Sequence, residues 1–403
     1  MRMSVVRSEV EVATMGSRDI ETPLPPEMLF FHILPRLPGK SIHRFLCVCK
    51  QWWSFLTTPA FAKMHHHHRH KLVIALSTTT PCKFSTIDLE ALQDGLSASR
   101  PIPFDDQNHS VKIIESVRGL VCLRKTNECN GRIYFDIILW NPLTSECKTV
   151  SRPNNEECYV TTANLVAFYY NCSDYKLLLV TEDHNDYIYS HNVYIYSLKS
   201  DSWRKVETRQ EDLSLLCHHF IGDSRLWRPC RSLNEKIYIE TSEPNWNRAF
   251  GDPIIILSFD MKTEKWTKIV GPYTEYRPKR MCLSFFVVRG CIHLYVGYCH
   301  HDDNECVAEL WRMDGDGDGD GDGDGGWTKV ADADPSKQHC PWASLWPIHE
   351  MKNGNRVMYF ERRNAIYEAD LETLTTKMVY ECDPYTYGFH CAYTETLGIS
   401  MFN

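Results

Sequence analysis

Two stretches of this chain repeat one another at a fixed spacing, and that repeat restricts the fold more than any other feature. Tyr196-Ser197-Leu198-Lys199-Ser200-Asp201-Ser202-Trp203 aligns with Phe259-Asp260-Met261-Lys262-Thr263-Glu264-Lys265-Trp266. Each has an aromatic residue, a polar turn, and a tryptophan seven positions after the aromatic. Each follows a β-rich run (Asn192–Ile195; Ile254–Ser258) and leads into a basic-apolar run, Arg204-Lys205-Val206 or Thr267-Lys268-Ile269. The pattern predicts a β-hairpin whose turn is packed by a tryptophan. Looser copies share the frame. Trp140–Cys147 puts cysteine in the tryptophan place, and Tyr367–Leu374 puts leucine there. Leu310-Trp311 runs into an Asp-Gly tract and resumes at Trp327-Thr328-Lys329-Val330. A further β run precedes each hairpin, at Gly119–Leu123, Lys176–Thr181, Lys236–Glu240, Gly290–Tyr295 and Arg356–Phe360. Lys71–Leu76 with Phe84–Leu89 supplies a first unit.

Two pairs of runs per unit give three- or four-stranded sheets. The count is six, with five or seven left open. Trp203, Trp266 and Trp327 follow one another at 63 and 61 residues. That exceeds the ~50-residue period of compact four-stranded repeats, so inserted loops are expected. Sheets set radially about one axis shield their edges, which favours a β-propeller over a stacked sandwich. Ala392–Ser400 is expected to pair near Lys71 and close the ring.

The first part of the chain has another texture. Leu24–Leu56 reads as three short helices punctuated by prolines. Pro25 and Pro26 fit a first helical turn, whose N–H groups are spare. Leu29 with Ile33, and Phe30 with Leu34, stand four apart and are expected to share a helix side. Pro35 and Pro38 close that helix. Ile42, Phe45, Leu46 and Cys49 mark a second amphipathic segment, and Trp52, Trp53, Phe55 and Leu56 load a third. So short a segment cannot bury this much apolar surface by itself. It must lie against the rest of the chain or borrow another protein's surface. The fold class expected is therefore α+β multidomain, a small all-α module followed by an all-β propeller. The boundaries expected are a disordered segment 1–20, the helical module 21–64, a histidine-rich linker 65–70, and the propeller 71–403.

The helical stretch also resembles a known motif. Leu24-Pro25, Ile33-Leu34, Arg36-Leu37-Pro38, Lys40-Ser41 and Phe45-Leu46-Cys47-Val48-Cys49-Lys50 with Trp52 resemble the plant F-box in order and spacing. An F-box docks on the adaptor subunit of SCF (cullin-RING) ubiquitin ligases. The resemblance implies adaptor-facing roles for Leu24, Pro25, Ile33, Leu34, Leu37, Pro38, Val48, Cys49, Lys50 and Trp52. Leu46 stands where family members often carry Arg, and Trp53 is an added aromatic. The later region resembles the F-box-associated, kelch-type domain of the same proteins. Val117-Arg118-Gly119-Leu120-Val121-Cys122-Leu123 resembles its NGL-C-L strand, with Arg118 in place of Asn. Leu139-Trp140-Asn141-Pro142-Leu143-Thr144 resembles its W-NP-T hairpin, and Ala392-Tyr393-Thr394-Glu395-Thr396-Leu397 its closing Y-ESL. The implied function is substrate recognition for an SCF ligase, with the adaptor and cullin as partners and a target protein held by the propeller. Two alternatives stay open: an adaptor-binding module without ubiquitylation, and an enzyme on a propeller scaffold.

Composition narrows the partners. A net charge of −8 with no basic stripe gives no support to nucleic-acid binding. No run approaches the ~18 apolar residues of a membrane span. Residues 1–20 carry scattered charge and no apolar core, which argues against a secretory leader. Cytoplasm or nucleus is the expected compartment, and there the 17 cysteines remain mostly thiols. Cys47 and Cys49 lack further ligands at zinc spacing and are expected to be buried thiols.

No catalytic, cofactor or metal constellation stands out. There is no G-x-S-x-G elbow, phosphate loop or dinucleotide fingerprint. Cys217-His218-His219 reads as core or rim. Asp314–Gly326 alternates Asp and Gly, but an EF-hand loop needs Glu at its twelfth position. Counting from Asp314 reaches Gly325, and from Asp316 reaches Trp327. The tract is expected to be a flexible acidic insertion in the fifth unit's hairpin. The residues expected to help hold a target are Trp246, Tyr276, Trp342 and Trp346, together with the acidic insertion.

Overall fold

The structure, a computed structural model, describes residues 24–58, 60–61, 64–65, 71–77, 82–89, 97, 100–103, 110–129, 132–153, 163–185, 188–208, 231–240, 254–272, 280–288, 290–299, 306–315, 326–333, 345–351, 355–360, 365–370, 373, 375–381 and 387–394. After the helices these residues form six four-stranded antiparallel sheets, inside the range of five to seven expected. The second sheet is Ser110–Val117, Leu120–Cys129, Arg132–Trp140 and Cys147–Val150. The third is Ala163–Asn171, Asp174–Asn185, Ile188–Ser197 and Ser202–Lys205. The fourth is Arg231–Leu233, Lys236–Glu240, Ile255–Asp260 and Trp266–Val270. The fifth is Arg280–Val288, Cys291–Cys299, Cys306–Met313 and Trp327–Ala333, and the sixth Leu345–Glu350, Arg356–Phe360, Ala365–Asp370 and Thr375–Glu381.

The first sheet is built from both ends of this region. Tyr387–Thr394 is its inner strand and pairs with Lys71–Ser77, which is followed by Lys83–Asp88 and the short Arg100–Pro101. The ring thus closes where expected, but with a strand that starts earlier than Ala392–Ser400. Only Ala392–Thr394 are shared, opposite Val73, Leu72 and Lys71, and residues 395–400 lie outside the described residues.

Burial on both faces explains the arrangement. In Leu120–Cys129, Leu120 and Cys122 join a core shared with the third sheet, while Val121 and Leu123 join one shared with the first. In the third sheet, Leu177 and Leu179 face back to the second, and Leu178 and Val180 face on to the fourth. Strands buried on both sides read as unbroken apolar runs rather than alternating ones. Fully burying one such side chain is worth about 1.5–3 kcal/mol. The same holds around the ring. Ile256 and Ile269 of the fourth sheet pack with Leu294 and Val296 of the fifth. Arg356 donates to the carbonyl of Val287 at 2.8 Å and ties the sixth sheet to the fifth. Val357 and Ile366 of the sixth pack with Ile87 and Leu89 of the first.

The repeated hairpins form as the spacing predicts. Tyr196 lies opposite Trp203 and Phe259 opposite Trp266, with ring centroids 5.2 and 4.9 Å apart. Trp140 faces Cys147 in the same frame. Each turn is held by a side chain one position after the aromatic. Asn141 Oδ1 accepts the N–H of Leu143 at 3.0 Å, and Asp260 Oδ1 accepts those of Lys262 and Thr263 at 2.8 and 2.7 Å. Five positions after the aromatic the backbone turns left-handed, at Ser145, Asp201 and Glu264. The Tyr367–Leu374 frame needs correction. Tyr367 lies opposite Met378, and Ala369 faces Thr376. Asp370 takes the turn-holding place by accepting the N–H of Thr373 at 3.2 Å, which moves the unit two residues on. In the fifth sheet Met313 faces Trp327. Asp314 accepts bonds from Arg312 Nε at 3.0 Å and from the Thr328 hydroxyl, so the two ends of the Asp-Gly tract sit at a pinned hairpin base.

Three of the seventh-position residues also fasten their sheet to the one before. Trp203 donates its indole N–H to the carbonyl of Ser151, Trp327 donates to that of Val270 at 2.9 Å, and the Cys147 thiol points to that of Pro103 at 3.9 Å. Trp266 is the exception: its indole N–H is buried with no partner among the described residues. Ion pairs repeat across the same boundaries. Lys148 meets Asp201 at 2.8 Å, and Arg204 meets Glu264 through both guanidinium nitrogens. Arg118, in place of the expected Asn, has a left-handed backbone (φ 46°). Its guanidinium lies 3.9 Å over the Tyr170 ring, and its carbonyl accepts the Tyr175 hydroxyl at 3.1 Å. These contacts offset the strain that Asn or Gly would avoid.

Two outcomes are expected. Trp266→Ala should cost about 3–5 kcal/mol, because the ring is buried between two sheets; chemical denaturation measures it, and a cost below ~1 kcal/mol would contradict this packing. Asp201 has its pKa lowered by the hydrogen bond from Lys148 and then by that from Tyr196. A lowered pKa contributes stability above the ordinary carboxylate value of about 3.9 that is lost as pH falls through the folded value. Asp201→Asn, which suits the left-handed backbone, should therefore lower stability near pH 7 by less than about 1 kcal/mol, since the pair is solvent-screened. That difference should fade as pH drops below the ordinary carboxylate range, as thermal melts across pH would reveal.

Candidate functional site

The helices fold around a core drawn from residues 29–64. Leu34, Ile42, Leu56 and Phe61 are fully buried, and Leu29, Phe30, Leu37, Phe45, Leu46, Trp52, Phe55 and Met64 pack on them. The aromatic members meet edge to face. Phe30 lies 4.8 Å from Phe55 and 6.1 Å from Trp52, Phe45 lies 5.2 Å from Trp52, and Phe55 lies 5.4 Å from Phe61. Such pairs add about 0.5–1.5 kcal/mol each beyond their burial.

The first helix, Met28–Ile33, has wider turns than an α-helix, with the Leu34 N–H bonded to the carbonyl of Leu29. It tightens into a single turn at Leu34–Arg36. Wide turns bring residues five apart onto one side. Leu29 therefore shares the core side with Leu34, and Ile33 points out to solvent, which corrects the expected Leu29–Ile33 pair. Helix α1 (Gly39–Phe45) and helix α2 (Lys50–Leu56) follow, joined by a turn at 46–49. That turn exposes Cys47 and Cys49 as free thiols, not the buried ones expected, because they lie between the helices and not on their inner faces. His65 is not linker either. It is buried, stacks 5.7 Å from Phe61 and bonds to the Leu37 carbonyl. The rest of the run, His66–His70, lies outside the described residues.

The residues named from the motif fall into two groups. Leu24, Pro25, Ile33, Pro38, Val48, Cys49 and Lys50 are exposed, while Leu37 and Trp52 are half-buried. Leu34 is buried at the centre of the module and supports that surface from beneath. Apolar exposure is concentrated here. Leu24, Met28, Phe31, Ile33, Val48 and Trp53 are 36–58 % exposed, and only three other large apolar side chains stand exposed among the described residues. Scattered exposed apolars are ordinary; six within thirty residues are not. Met28, Phe31 and Trp53 are additions that the motif does not mark. Trp53 was visible as an extra aromatic, whereas Met28 and Phe31 gave no signal apart from their helix.

The ring has two unlike faces. The first-to-second and third-to-fourth connections lie on one face; that face also carries the Asp-Gly tract of the fifth sheet, and its other described turns are mostly tight. They include Arg118–Gly119, Cys172–Ser173 and Asn234–Glu235, all left-handed. Lys71 enters on this face, opposite Thr394, and the Tyr393 hydroxyl donates to Asn141 Oδ1 at 3.5 Å in a neighbouring turn. Trp246, Tyr276 and Trp342 lie outside the described residues. The strand ends that flank them, Glu240 and Ile255, Val270 and Arg280, Ala333 and Leu345, are all on the other face. Trp346 sits near the start of its strand on that face too. Cys217-His218-His219 also lies outside the described residues. A cavity of about 330 Å³ opens on the tight-turn side, where the fourth sheet's inner strand is only three residues long. Glu115, Arg118, Tyr169 and Ser232 are among its described lining residues. Burial, and then the charge of Glu264, raises the Tyr169 phenol well above its usual pKa, so it stays neutral.

Comparison with known proteins agrees with this architecture. Residues 80–398 match the F-box associated beta propeller domain. An F-box protein of Arabidopsis thaliana is 24 % identical over 287 residues, covering 67 % of this chain and 62 % of that protein. Two further F-box proteins of the same plant are 28 % and 26 % identical over 276 and 270 residues, covering 64 % of this chain in each case and 73 % and 63 % of themselves. The match thus spans under two thirds of the length of the first of these relatives. A solved protein of unknown function from Bacteroides caccae superposes with a TM-score of 0.43 at 8 % identity, over 81 % of this chain and 99 % of its own, a likeness too weak to argue from. With six closed sheets and a family match across most of its length, this chain belongs to the F-box associated β-propeller family.

Proposed function

We propose that this protein is the substrate-recognition subunit of an SCF E3 ubiquitin ligase. The helical module docks on the ligase adaptor, and through it on cullin, and the ring holds a target protein. The observation that carries this reading is the exposed apolar surface spread over Leu24, Met28, Phe31, Ile33, Val48 and Trp53. A module with its own completed core has no internal reason to leave these groups in water. Ubiquitin transfer would then follow from tethering, since holding a target beside the conjugating enzyme raises its effective concentration without a nucleophile from this chain. The target face in this reading is the one bearing Trp346 and flanking Trp246, Tyr276 and Trp342. It is opposite the side on which the chain enters the ring at Lys71. The compartment proposed is cytoplasm or nucleus, where exposed thiols such as Cys47, Cys49, Cys147 and Cys172 stay reduced.

The double change Ile33→Asp with Leu37→Asp should abolish adaptor pull-down and leave the ring folded. Leu37 is half-buried, so Val48→Asp gives a cleaner test at an exposed position. It should weaken adaptor affinity at least about tenfold, roughly 1.4 kcal/mol, with an unchanged melting temperature. Full adaptor binding by both variants would count against the docking reading.

A further inference from the structure

His65 lies 28 residues beyond Leu37 and outside every motif position, yet the fold brings the two together. The Leu37 carbonyl precedes α1 and serves none of its amides, since the first of these, from Ser41 and Ile42, bond to the Pro38 carbonyl. His65 Nε2 donates to that carbonyl at 2.9 Å. The imidazole is held nearly parallel to Phe61, with ring planes 15° apart, and it is only 2 % exposed. Phe61 in turn rests on Phe55, and Thr58 Oγ1 accepts the Phe61 N–H at 3.1 Å. A chain of contacts therefore runs from the residues after α2 back to the Leu37-Pro38 bend. Pro38 has no side-chain cap to fix the start of α1. We infer that His65 is a positioning residue for partner docking, holding the Leu37-Pro38 bend in the shape that presents Leu37 and Pro38 to the adaptor. This rests on the docking reading above and adds to it a residue that the motif does not contain.

The role separates from simple packing. His65→Phe keeps a ring against Phe61 but removes the donor. His65→Gln keeps a donor and loses the ring. In the full chain, His65→Phe is expected to weaken adaptor affinity about fivefold, the scale of one hydrogen bond. Its melting temperature should stay at the wild-type value. His65→Gln is expected to bind within about twofold of wild type. Wild-type affinity in His65→Phe would overturn the inference, as would a Gln variant no better than Phe. A drop in affinity matched by an equal loss of stability would reduce His65 to a core residue and also overturn it. If wild type itself failed to bind the adaptor, the docking reading would fall instead.

Discussion

The first four sheets of this ring bury apolar side chains on both faces, and that constraint organises the rest. A sheet with two apolar faces is stable only between two neighbours, so a linear stack would leave a greasy face at each end. Closing the stack on itself removes both ends at once. The chain accomplishes this by giving its last described strand, Tyr387–Thr394, to the sheet that Lys71–Ser77 begins. Tyr393 shows how tightly the seam is made. It is buried in the core between the first and second sheets beside Val121 and Trp140, and its hydroxyl reaches Asn141. Residues more than 250 positions apart thus share one core, so the closing contacts carry a large loop-closure entropy that local hairpins do not.

Within that closed ring, the hairpins act as repeated fasteners. The exposed ion pairs Lys148–Asp201 and Arg204–Glu264 are worth little each. They recur at equivalent boundaries between adjacent sheets. The buried aromatic pairs Phe259–Trp266 and Tyr196–Trp203 contribute more. The same design explains why the fifth hairpin accommodates the Asp-Gly tract. Met313 faces Trp327 and Asp314 holds both Arg312 and Thr328, so the strands are in register below the inserted residues. Lengthening a loop above a fixed base costs only fractions of a kcal/mol per doubling.

The sequence made some of this legible because certain residues act locally. The aromatic-to-tryptophan spacing of seven is a property of one hairpin, and Tyr196–Trp203 and Phe259–Trp266 could be read without their neighbours. The sixth unit misled because its turn is set by Asp370, two residues past the position that Tyr367 suggested. The aromatic residue drew the eye, while the short polar side chain fixed the bend. Ile33 misled for a related reason. Phe30 and Leu34, four apart, do share the core, but the wider turns of Met28–Ile33 also bring Leu29 over Leu34, five apart, and leave Ile33 outside. Cys49 and His65 depend on tertiary packing that no local pattern encodes. One lies in a turn between helices, and the other belongs to a histidine run whose composition looks like linker.

The two parts of the chain solve the problem of apolar surface in opposite ways. The ring hides its own by meeting itself, and among the described residues its exposed large apolar groups, Val270, Val330 and Met378, stand singly on outer strands. The helical module completes a small core with Phe61 and His65 and still leaves six large apolar groups outside. A ring that needs no partner for stability can present its long connections to a target without being reshaped by it. A module with surplus apolar surface is suited to lasting attachment. Lys71 enters the ring on the face of the first-to-second strand turns and the fourth-to-first connections lie on the other, so the docking reading proposed above places attachment and capture on opposite faces of the ring.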